Sequence, residues 1–213
     1  MIYKLQRMEL VESLSNKGIY DESILSAMRE VQREKFIPSG VRAHAYMDIA
    51  LPIGYGQTIS QPYTIAIMTQ ALKAKKGDNI LEIGTGSGYQ AALLYAMGAK
   101  VFSIERHFEI FNNVLKLFDK LSIRVRCKQG DGTLGWEENA PFDGILVTAG
   151  SPGIPESLKQ QLAIGGRMVI PVGDKNSQTL KVITKKENDE FSIEDIPEFA
   201  FVPLIGREGW KDQ

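Results

Sequence analysis

The chain has 213 residues, 43% of them hydrophobic and 24% charged, which is enough for one domain with a substantial core. Its 25 basic and 26 acidic residues give a net charge of -1, which argues against a protein whose main role is to bind nucleic acid, because such proteins are usually strongly basic. Cys127 is the one cysteine, and His44 and His107 are the two histidines. The composition therefore excludes an intrachain disulfide and offers no convincing zinc site.

The hydropathy of the chain gives no sign of a membrane protein. The amino-terminal residues lack the apolar core that a signal peptide needs. No run of about 18 uncharged apolar residues predicts a membrane span. We therefore expect a cytoplasmic protein that has no membrane or nucleic-acid partner, and we expect it to be a monomer.

Residues 1–76 are predicted to form helices and a loop that precede the core. Apolar residues near a 3.6-residue period predict a helix over 5–14, and Asp21 is well placed to cap a second helix. Residues 41–61 contain proline and several glycines and predict an irregular loop. A further helix is predicted over 62–74, with proline in its first turn, where the missing N–H is tolerated.

Short apolar strands then alternate with amphipathic helices through residues 77–175. The predicted strands are 79–84, 100–105, 123–128, 142–147 and 166–171, and the predicted helices are 88–97, 107–120 and 155–162. This alternation favours right-handed crossovers and a parallel sheet covered by helices on both faces. The predicted fold is α/β, a doubly wound Rossmann-like sheet with an N-terminal helical extension.

Residues 176–213 have a different pattern from the core. Strands are predicted over 179–185 and 199–205, separated by the polar stretch 185–190. They are expected to pair antiparallel at one edge of the sheet. The whole chain, 1–213, is expected to be a single domain.

A glycine-rich segment lies between the first predicted core strand and its helix. Gly84, Gly86 and Gly88 have the spacing G-x-G-x-G, and Glu82 precedes the first of them by two residues. Nicotinamide and flavin dinucleotide sites have G-x-G-x-x-G and place a pyrophosphate at the helix N-terminus, where the Glu82 carboxylate is unfavourable. That carboxylate suits the cationic amino-acid end of S-adenosylmethionine. The alternative interpretation is a tight strand-to-helix turn that binds nothing.

Acidic residues also follow the next two predicted strands. Glu105 ends the second strand, roughly 20 residues beyond the glycine loop, where a carboxylate accepts hydrogen bonds from ribose hydroxyls. Asp131 and Gly132 follow the third strand, at the edge where an adenine ring is expected. Acidic residues after three successive strands are a more specific signal for a nucleoside cofactor than the glycine loop alone.

The segment 46–63 feeds the predicted helix that begins at Pro62. Ser60 lies where an N-cap belongs, and the backbone N–H groups of a helix N-terminus form a good anion receptor. The residue pattern alone leaves two interpretations open, namely that Ser60 caps its helix or that it helps to bind an anionic substrate.

A family resemblance bears on this choice. The chain from about residue 20 onward resembles the protein-L-isoaspartate O-methyltransferases, and the family's motifs occur in the same order. The matching segments are 56–62, 81–89, 103–106, 131–132, 141–143, 165–166 and 201–204. The first segment, Gly-Gln-Thr-Ile-Ser-Gln-Pro, is the specific one, since many methyltransferases share the glycine loop.

The resemblance implies methyl transfer from S-adenosylmethionine to the free α-carboxyl of L-isoaspartyl residues in damaged proteins and peptides, with S-adenosylhomocysteine as product and no metal. The family's active-site serine falls on Ser60. The expected cofactor-binding residues are Glu82, Gly84, Thr85, Gly86, Ser87, Gly88, Glu105, Arg106, Asp131 and Gly132. The expected substrate-binding residues are Gln57, Thr58, Ile59, Ser60, Val202 and Pro203.

The chain departs from the family pattern at two places. Gly150 and Ser151 stand where many members have two alanines, and Ala200 stands where many bacterial members have arginine. If that arginine helps to hold substrate, the affinity for peptides differs here. Two other functions remain as alternatives at this level: a methyltransferase that acts on RNA or a small molecule, and a cofactor-binding protein without catalytic activity.

Overall fold

A computed structural model describes residues 2–211, and for Pro197 the backbone alone. The helices are α1 (Ile2–Asn16), α2 (Glu22–Glu30), α3 (Pro62–Leu72), α4 (Tyr89–Ala96), α5 (Phe108–Lys120) and α6 (Glu156–Gln160). The strands are β1 (Leu51–Gly54), β2 (Gln57–Ile59), β3 (Asn79–Ile83), β4 (Lys100–Glu105), β5 (Arg126–Gln129), β6 (Phe142–Val147), β7 (Leu162–Gly173), β8 (Gln178–Lys185) and β9 (Phe191–Phe199).

The main sheet has seven strands in the order β5-β4-β3-β6-β7-β8-β9. Strands β5, β4, β3, β6 and β7 run parallel, and β8 and β9 continue the sheet antiparallel at one edge. The doubly wound α/β fold and the antiparallel C-terminal edge are therefore confirmed. The strand order reverses between β3 and β6, and open α/β sheets bind ligands beside the carboxyl ends of the strands at such a switch point.

The two faces of the sheet carry separate apolar clusters. Ile80 of β3 belongs to the cluster that includes Leu14 and Ile24 of the N-terminal helices, whereas the next residue, Leu81, belongs to the other cluster, together with Leu158 of α6. This alternation follows from the two-residue period of a strand, which lets β3 be buried on both sides. Within residues 2–211, none of the helices combines the length and apolar character needed to cross a bilayer.

The N-terminal region agrees with its prediction except in the loop. Asp21 caps α2, as expected, and its Oδ1 accepts a hydrogen bond from Ser23 N at 2.9 Å. The expected irregular loop over 41–61 instead contains the antiparallel hairpin β1–β2. Its turn has positive φ at both Tyr55 (54°) and Gly56 (68°), a geometry that matches the twist of a two-residue hairpin. The loop prediction was wrong because glycine and proline mark a tight hairpin turn as well as irregular chain.

Two strand predictions need correction. The third core strand begins at Arg126 rather than at 123. The last strand is β9, over 191–199, and not 199–205. Acidic residues interrupt the apolar alternation of β9, which is tolerated because it is an edge strand. The apolar residues after it form a tail that crosses the strand ends, where Gly150 N donates to Val202 O at 2.8 Å and Leu204 N donates to Gly150 O at 2.7 Å.

The N-terminus of α3 is capped by Asp48, a residue that lies 15 positions before Tyr63 in the chain. Gln61 occupies the N-cap position without a side-chain hydrogen bond, so of the two interpretations of Ser60 the one in which it caps this helix is wrong. Asp48 accepts a hydrogen bond from Tyr63 N at 2.8 Å and forms an ion pair with Lys17 at 2.7 Å. Burial acts to raise the pKa of Asp48, but these hydrogen bonds outweigh it and hold that pKa below its ordinary value.

We expect Asp48→Ala to lower the free energy of unfolding by about 1–2 kcal/mol, because it removes a helix cap. Lys17→Ala is the matched control and is expected to lower it by less than about 1 kcal/mol, since the lysine is half exposed and contributes only the ion pair. Urea unfolding at neutral pH measures both variants. Equal losses would contradict the capping role. The stabilisation by Asp48 is present above the ordinary aspartate pKa and is lost as pH falls through the lower folded pKa.

Candidate active site

A cleft opens beside the ends of β3 and β4, at the point where the strand order reverses. We call it the strand-end cleft. Residues from the hairpin, the glycine loop, the end of β4 and the tail line it, namely Gln57 to Ser60, Glu82 to Ser87, Ile104 to His107, Gly132, Thr148, Ala149 and Val202 to Ile205, with Ile65, Met68 and Gln90 from the helices. The structure therefore brings together most of the residues that the sequence predicted for the site.

The glycine loop has a backbone that other residues adopt only with strain. Gly84, Gly86 and Gly88 have φ values of 92°, 52° and 83°, all in the left-handed region. Space is restricted as well, since a Cβ at Gly84 would lie 2.6 Å from Thr148 Oγ1. That hydroxyl donates to Ile83 O at 3.0 Å or to Gly84 O at 2.8 Å and so ties the loop to the end of β6. Thr148 was not predicted as a site residue, because nothing in its sequence context marks it.

Glu105 is buried at the end of β4 and accepts two backbone hydrogen bonds. Its Oε2 accepts from Gly86 N at 2.8 Å and its Oε1 from His107 N at 2.8 Å. Each carboxylate oxygen has a second lone pair, so Glu105 retains the capacity to accept bonds from the hydroxyls of a ribose. The same residue therefore fixes the glycine loop and presents acceptors to the strand-end cleft.

Glu82 is fully buried on β3 and faces the strand-end cleft. Ser103 donates a hydrogen bond to its Oε2, and Thr85 Oγ1 lies 2.6 Å from the Ser103 hydroxyl. Its Oε1 is buried without a hydrogen-bond partner within the described residues. Burial, with a smaller effect of the nearby Glu105, raises the pKa of Glu82 to about 8, although the Ser103 hydrogen bond opposes the shift. An unpaired buried carboxylate oxygen at a cleft fits a ligand with a cationic group.

The predicted cofactor-binding residues Arg106, Asp131 and Gly132 do not all lie in the same place. Gly132 and Arg106 line the strand-end cleft, and a Cβ at Gly132 would lie 2.4 Å from Ile83 Cγ2, which explains the glycine. Asp131 lies beside the cleft, where its Oδ1 accepts a hydrogen bond from Thr133 N at 2.9 Å and its Oδ2 accepts one from Arg207 N at 2.7 Å. The Asp131 carboxylate therefore anchors the C-terminal tail beside the end of β5.

Ser60 lies on the boundary between the strand-end cleft and a second groove, which we call the tail groove. The tail groove is lined by Ala50, Thr58, Ser60, Gln61, Tyr63, Thr64, Thr148, Ile196 and Glu198 to Val202. Because Asp48 caps α3, the Ser60 hydroxyl is not used for capping, and it makes no hydrogen bond to any residue in 2–211. Ser60 therefore lies where the two openings meet and has a hydroxyl that is free to bind a ligand.

The remaining predicted substrate residues surround Ser60. Ile59, the last residue of β2, is buried, while Thr58 and Pro203 are exposed. Val202 lines both the strand-end cleft and the tail groove. Gln57 extends from the hairpin to the other side of the strand-end cleft, where its Nε2 lies 3.5 Å from His107 Nε2. The hairpin and the tail therefore form the two walls beside Ser60.

One departure from the family pattern has a steric account. A Cβ at Gly150 would lie 3.0 Å from Gln178 Cδ. The Gln178 side chain accepts a hydrogen bond from Phe201 N at 2.8 Å and donates one to Asp174 O, so it holds the tail. Glycine at 150 gives this glutamine room. Ala200, the other departure, lines the tail groove without a charged side chain.

The sheet order, the positive-φ glycine loop and the two buried carboxylates at successive strand ends define the class: this is an S-adenosylmethionine-dependent methyltransferase. Comparison with known proteins gives the particular family. The model of the protein-L-isoaspartate (D-aspartate) O-methyltransferase family matches residues 5–209, and the chain belongs to this family.

Individual relatives agree with that assignment. The protein-L-isoaspartate O-methyltransferase of Chlorobium phaeovibrioides is 51% identical over 215 aligned residues, which cover 98% of this chain and 93% of the relative. A solved structure of a protein-L-isoaspartate O-methyltransferase is 31% identical with a TM-score of 0.88, over 95% of this chain and 67% of that one. A structure from Plasmodium falciparum, described as such an enzyme in complex with S-adenosyl-L-homocysteine, is 27% identical with a TM-score of 0.80, over 93% and 98%.

We expect Glu82→Gln to stabilise the folded chain more at about pH 8.5 than at about pH 5. The folded pKa of about 8 lies above the ordinary value of 4.5, so the stability that the protonated carboxyl contributes is fully present below 4.5 and is lost as pH rises through 8. The advantage of the neutral variant should therefore grow over this range, by roughly 1–3 kcal/mol.

Urea unfolding at the two pH values measures this advantage, and Glu109→Gln, an exposed glutamate of α5, is the matched control. Calorimetry at about pH 8.5, where the Glu82 carboxyl is largely ionised, is expected to show weaker binding of S-adenosylmethionine to the same Glu82→Gln variant, since the substitution removes the charge that faces a cationic group. An advantage that does not change with pH would rule out the shifted carboxyl as its source.

Proposed function

We propose that this chain uses Ser60 to orient the free α-carboxyl of L-isoaspartyl residues in proteins and peptides for methylation. The observation that carries the proposal is the position of Ser60, which lines both the strand-end cleft and the tail groove. A methyl donor in the first and a carboxylate in the second would meet at this residue. The names of the relatives support the choice of substrate.

The cofactor fits the strand-end cleft on chemical grounds. Glu82 would face the cationic amino-acid end, Glu105 would accept bonds from the ribose, and the glycine loop would allow close approach of the ligand. The other proposed cofactor-binding residues are Thr85, Ser87, Arg106, Asp131 and Gly132. S-adenosylmethionine supplies a methyl group on a positively charged sulfur, and it leaves as S-adenosylhomocysteine.

The reaction needs alignment more than acid–base catalysis. A carboxyl group with an ordinary pKa of roughly 3–4 is already ionised at neutral pH, so its oxygen can attack without a general base. In the displacement, a carboxylate oxygen forms a bond to the methyl carbon while the carbon–sulfur bond breaks and its electrons remain on sulfur. Holding the two reactants in line and excluding water lowers the barrier, by up to roughly 7–11 kcal/mol in well-aligned model reactions.

Ser60 would hold one carboxylate oxygen, and the walls on either side would hold the peptide. A single neutral hydroxyl suits this role, because the negative charge fades as the ester forms and a stronger donor would stabilise the reactant more than the transition state. Gln57, Thr58, Ile59, Val202 and Pro203 are the proposed substrate-binding residues. We expect recognition through peptide backbone atoms, since damage arises in many sequence contexts.

The product explains why this reaction serves repair. A methyl ester has a better leaving group than a carboxylate, so the neighbouring backbone nitrogen closes a succinimide ring with release of methanol. Hydrolysis of the ring returns part of the material to L-aspartyl residues. Cytoplasmic location, a monomeric state and the absence of nucleic-acid partners stay predictions.

The substrate class is tested with two peptides that differ only in L-isoaspartate or L-aspartate at one position. The chain is incubated with methyl-labelled S-adenosylmethionine, and base-labile label is counted as volatile methanol. Label from the isoaspartyl peptide alone is the expected result. Equal label from both peptides, or none from either while cofactor binding is measurable, would overturn the proposed substrate.

We expect Ser60→Ala to lower kcat for the isoaspartyl peptide by roughly 10- to 100-fold. This is less than the loss of an oxyanion-hole donor, because here the charge decreases in the transition state. Ser15→Ala, at an exposed position of α1, is the matched control and should keep full activity. Circular dichroism and cofactor affinity should be unchanged in both variants. Full turnover by a folded Ser60→Ala variant would exclude the catalytic role of this hydroxyl.

A further inference from the structure

Arg33 lies in the interior of the protein, in the short 3-10 turn that follows α2, and is fully buried. Its Nε donates to Ala45 O at 3.0 Å, and its Nη2 donates to Ser60 O at 2.8 Å. Its guanidinium carbon lies 5.1 Å from the centroid of the Tyr89 ring. One side chain therefore contacts the substrate segment and the helix that follows the glycine loop.

Burying a charged arginine lowers the stability of the fold unless its partners offset the loss of hydration. Arg33 has no carboxylate within ion-pair distance among residues 2–211, and its Nη1 is buried without a hydrogen-bond partner. A buried guanidinium without a directly paired carboxylate destabilises the fold relative to an apolar side chain of similar volume. Burial lowers its pKa to about 10, against the opposing effects of Tyr89, Tyr46 and Asp48, so the group is still charged at neutral pH.

The two carbonyl oxygens that accept hydrogen bonds from Arg33 lie at the two ends of the segment 45–60. Ala45 and Ser60 bracket the loop and the hairpin β1–β2, which forms a wall of the strand-end cleft. The planar guanidinium donates in two fixed directions, so it holds the two ends of this segment in one arrangement. Asp48, between the two ends, secures the same segment to α3.

The contact between Arg33 and the Tyr89 ring links this segment to the glycine loop. Tyr89 is the first residue of α4 and directly follows Gly88, the last glycine of the loop. The Tyr89 ring is itself buried and packs edge-on against Phe36, with ring centroids 5.5 Å apart. Arg33 thus connects the backbone of the substrate-orienting serine to the end of the glycine loop through contacts that leave little freedom.

We infer that Arg33 is a positioning residue for methyl transfer, which sets the distance and angle between Ser60 and the glycine loop without touching either reactant. An in-line displacement depends steeply on this alignment, and misplacement by about 1 Å can lower the rate by about 100-fold. The inference rests on the proposed function of Ser60. It differs from a purely structural role because it requires loss of turnover in a protein that still folds and binds cofactor.

The test compares Arg33→Lys and Arg33→Met with the wild type. Lysine keeps the charge but not the two-pronged donor, and methionine removes both. For each protein, kcat and KM for the isoaspartyl peptide, the Kd for S-adenosylhomocysteine and the unfolding temperature are measured, with assays well below that temperature. We expect kcat to fall at least 10-fold in both variants while the Kd changes less than threefold.

Arg167→Lys is the matched control. Arg167 donates to Ala71 O at 3.2 Å, near the C-terminal end of α3, and lies in neither the strand-end cleft nor the tail groove. This variant should lower the unfolding temperature but keep kcat within twofold. If Arg33→Met does not fold, Arg33→Lys decides the result by itself.

The outcomes separate this inference from the proposed function. If the wild type methylates the isoaspartyl peptide and folded Arg33→Lys keeps the wild-type kcat, the inference is overturned and the proposed function is left intact. Cofactor affinity that falls as much as kcat would also overturn it, because the effect would then be a general loss of structure. A wild type that binds cofactor but does not methylate the isoaspartyl peptide would overturn both.

Discussion

The turn between β3 and α4 is the constraint on which the site depends. There the backbone changes from strand to helix with positive φ at three glycines, in a space where Thr148 leaves no room for a side chain at Gly84. Glu105 accepts a hydrogen bond from Gly86 N, so the end of the neighbouring strand fixes the same turn. A tight turn held from β4 and β6 presents backbone and carboxylate groups to one cleft, and the other walls are arranged around it.

Two ionisable side chains are buried near the site at some loss of stability. Glu82 is buried with one carboxylate oxygen unpaired, and Arg33 is buried without a carboxylate partner among the described residues. Groups of this kind destabilise a fold but give a site a fixed arrangement, and they concentrate where a protein binds or reacts. The wall that carries Ser60 is also fixed by Asp48, which takes the capping role and leaves the serine hydroxyl for the tail groove.

Much of the fold could be read from the chain, because local physics was sufficient there. Apolar runs ending in glycine or acid predicted the parallel core strands, and the interval from Gly84 to Glu105 predicted a nucleoside cofactor. The tail was misassigned for a physical reason: its apolar residues cover the strand ends instead of entering the sheet, while the acidic edge strand β9 resembles a loop in sequence.

The sequence by itself determined the doubly wound class, the glycine loop and the presence of Ser60, since periodicity, glycine spacing and motif order are local properties. Only the tertiary structure decided that Asp48 caps α3, that Thr148 closes the glycine loop and that Arg33 joins Ser60 to Tyr89. These contacts join residues from 15 to 64 positions apart. Hydrogen bonds of this kind follow from how helices and strands pack, and no local pattern in the chain encodes them.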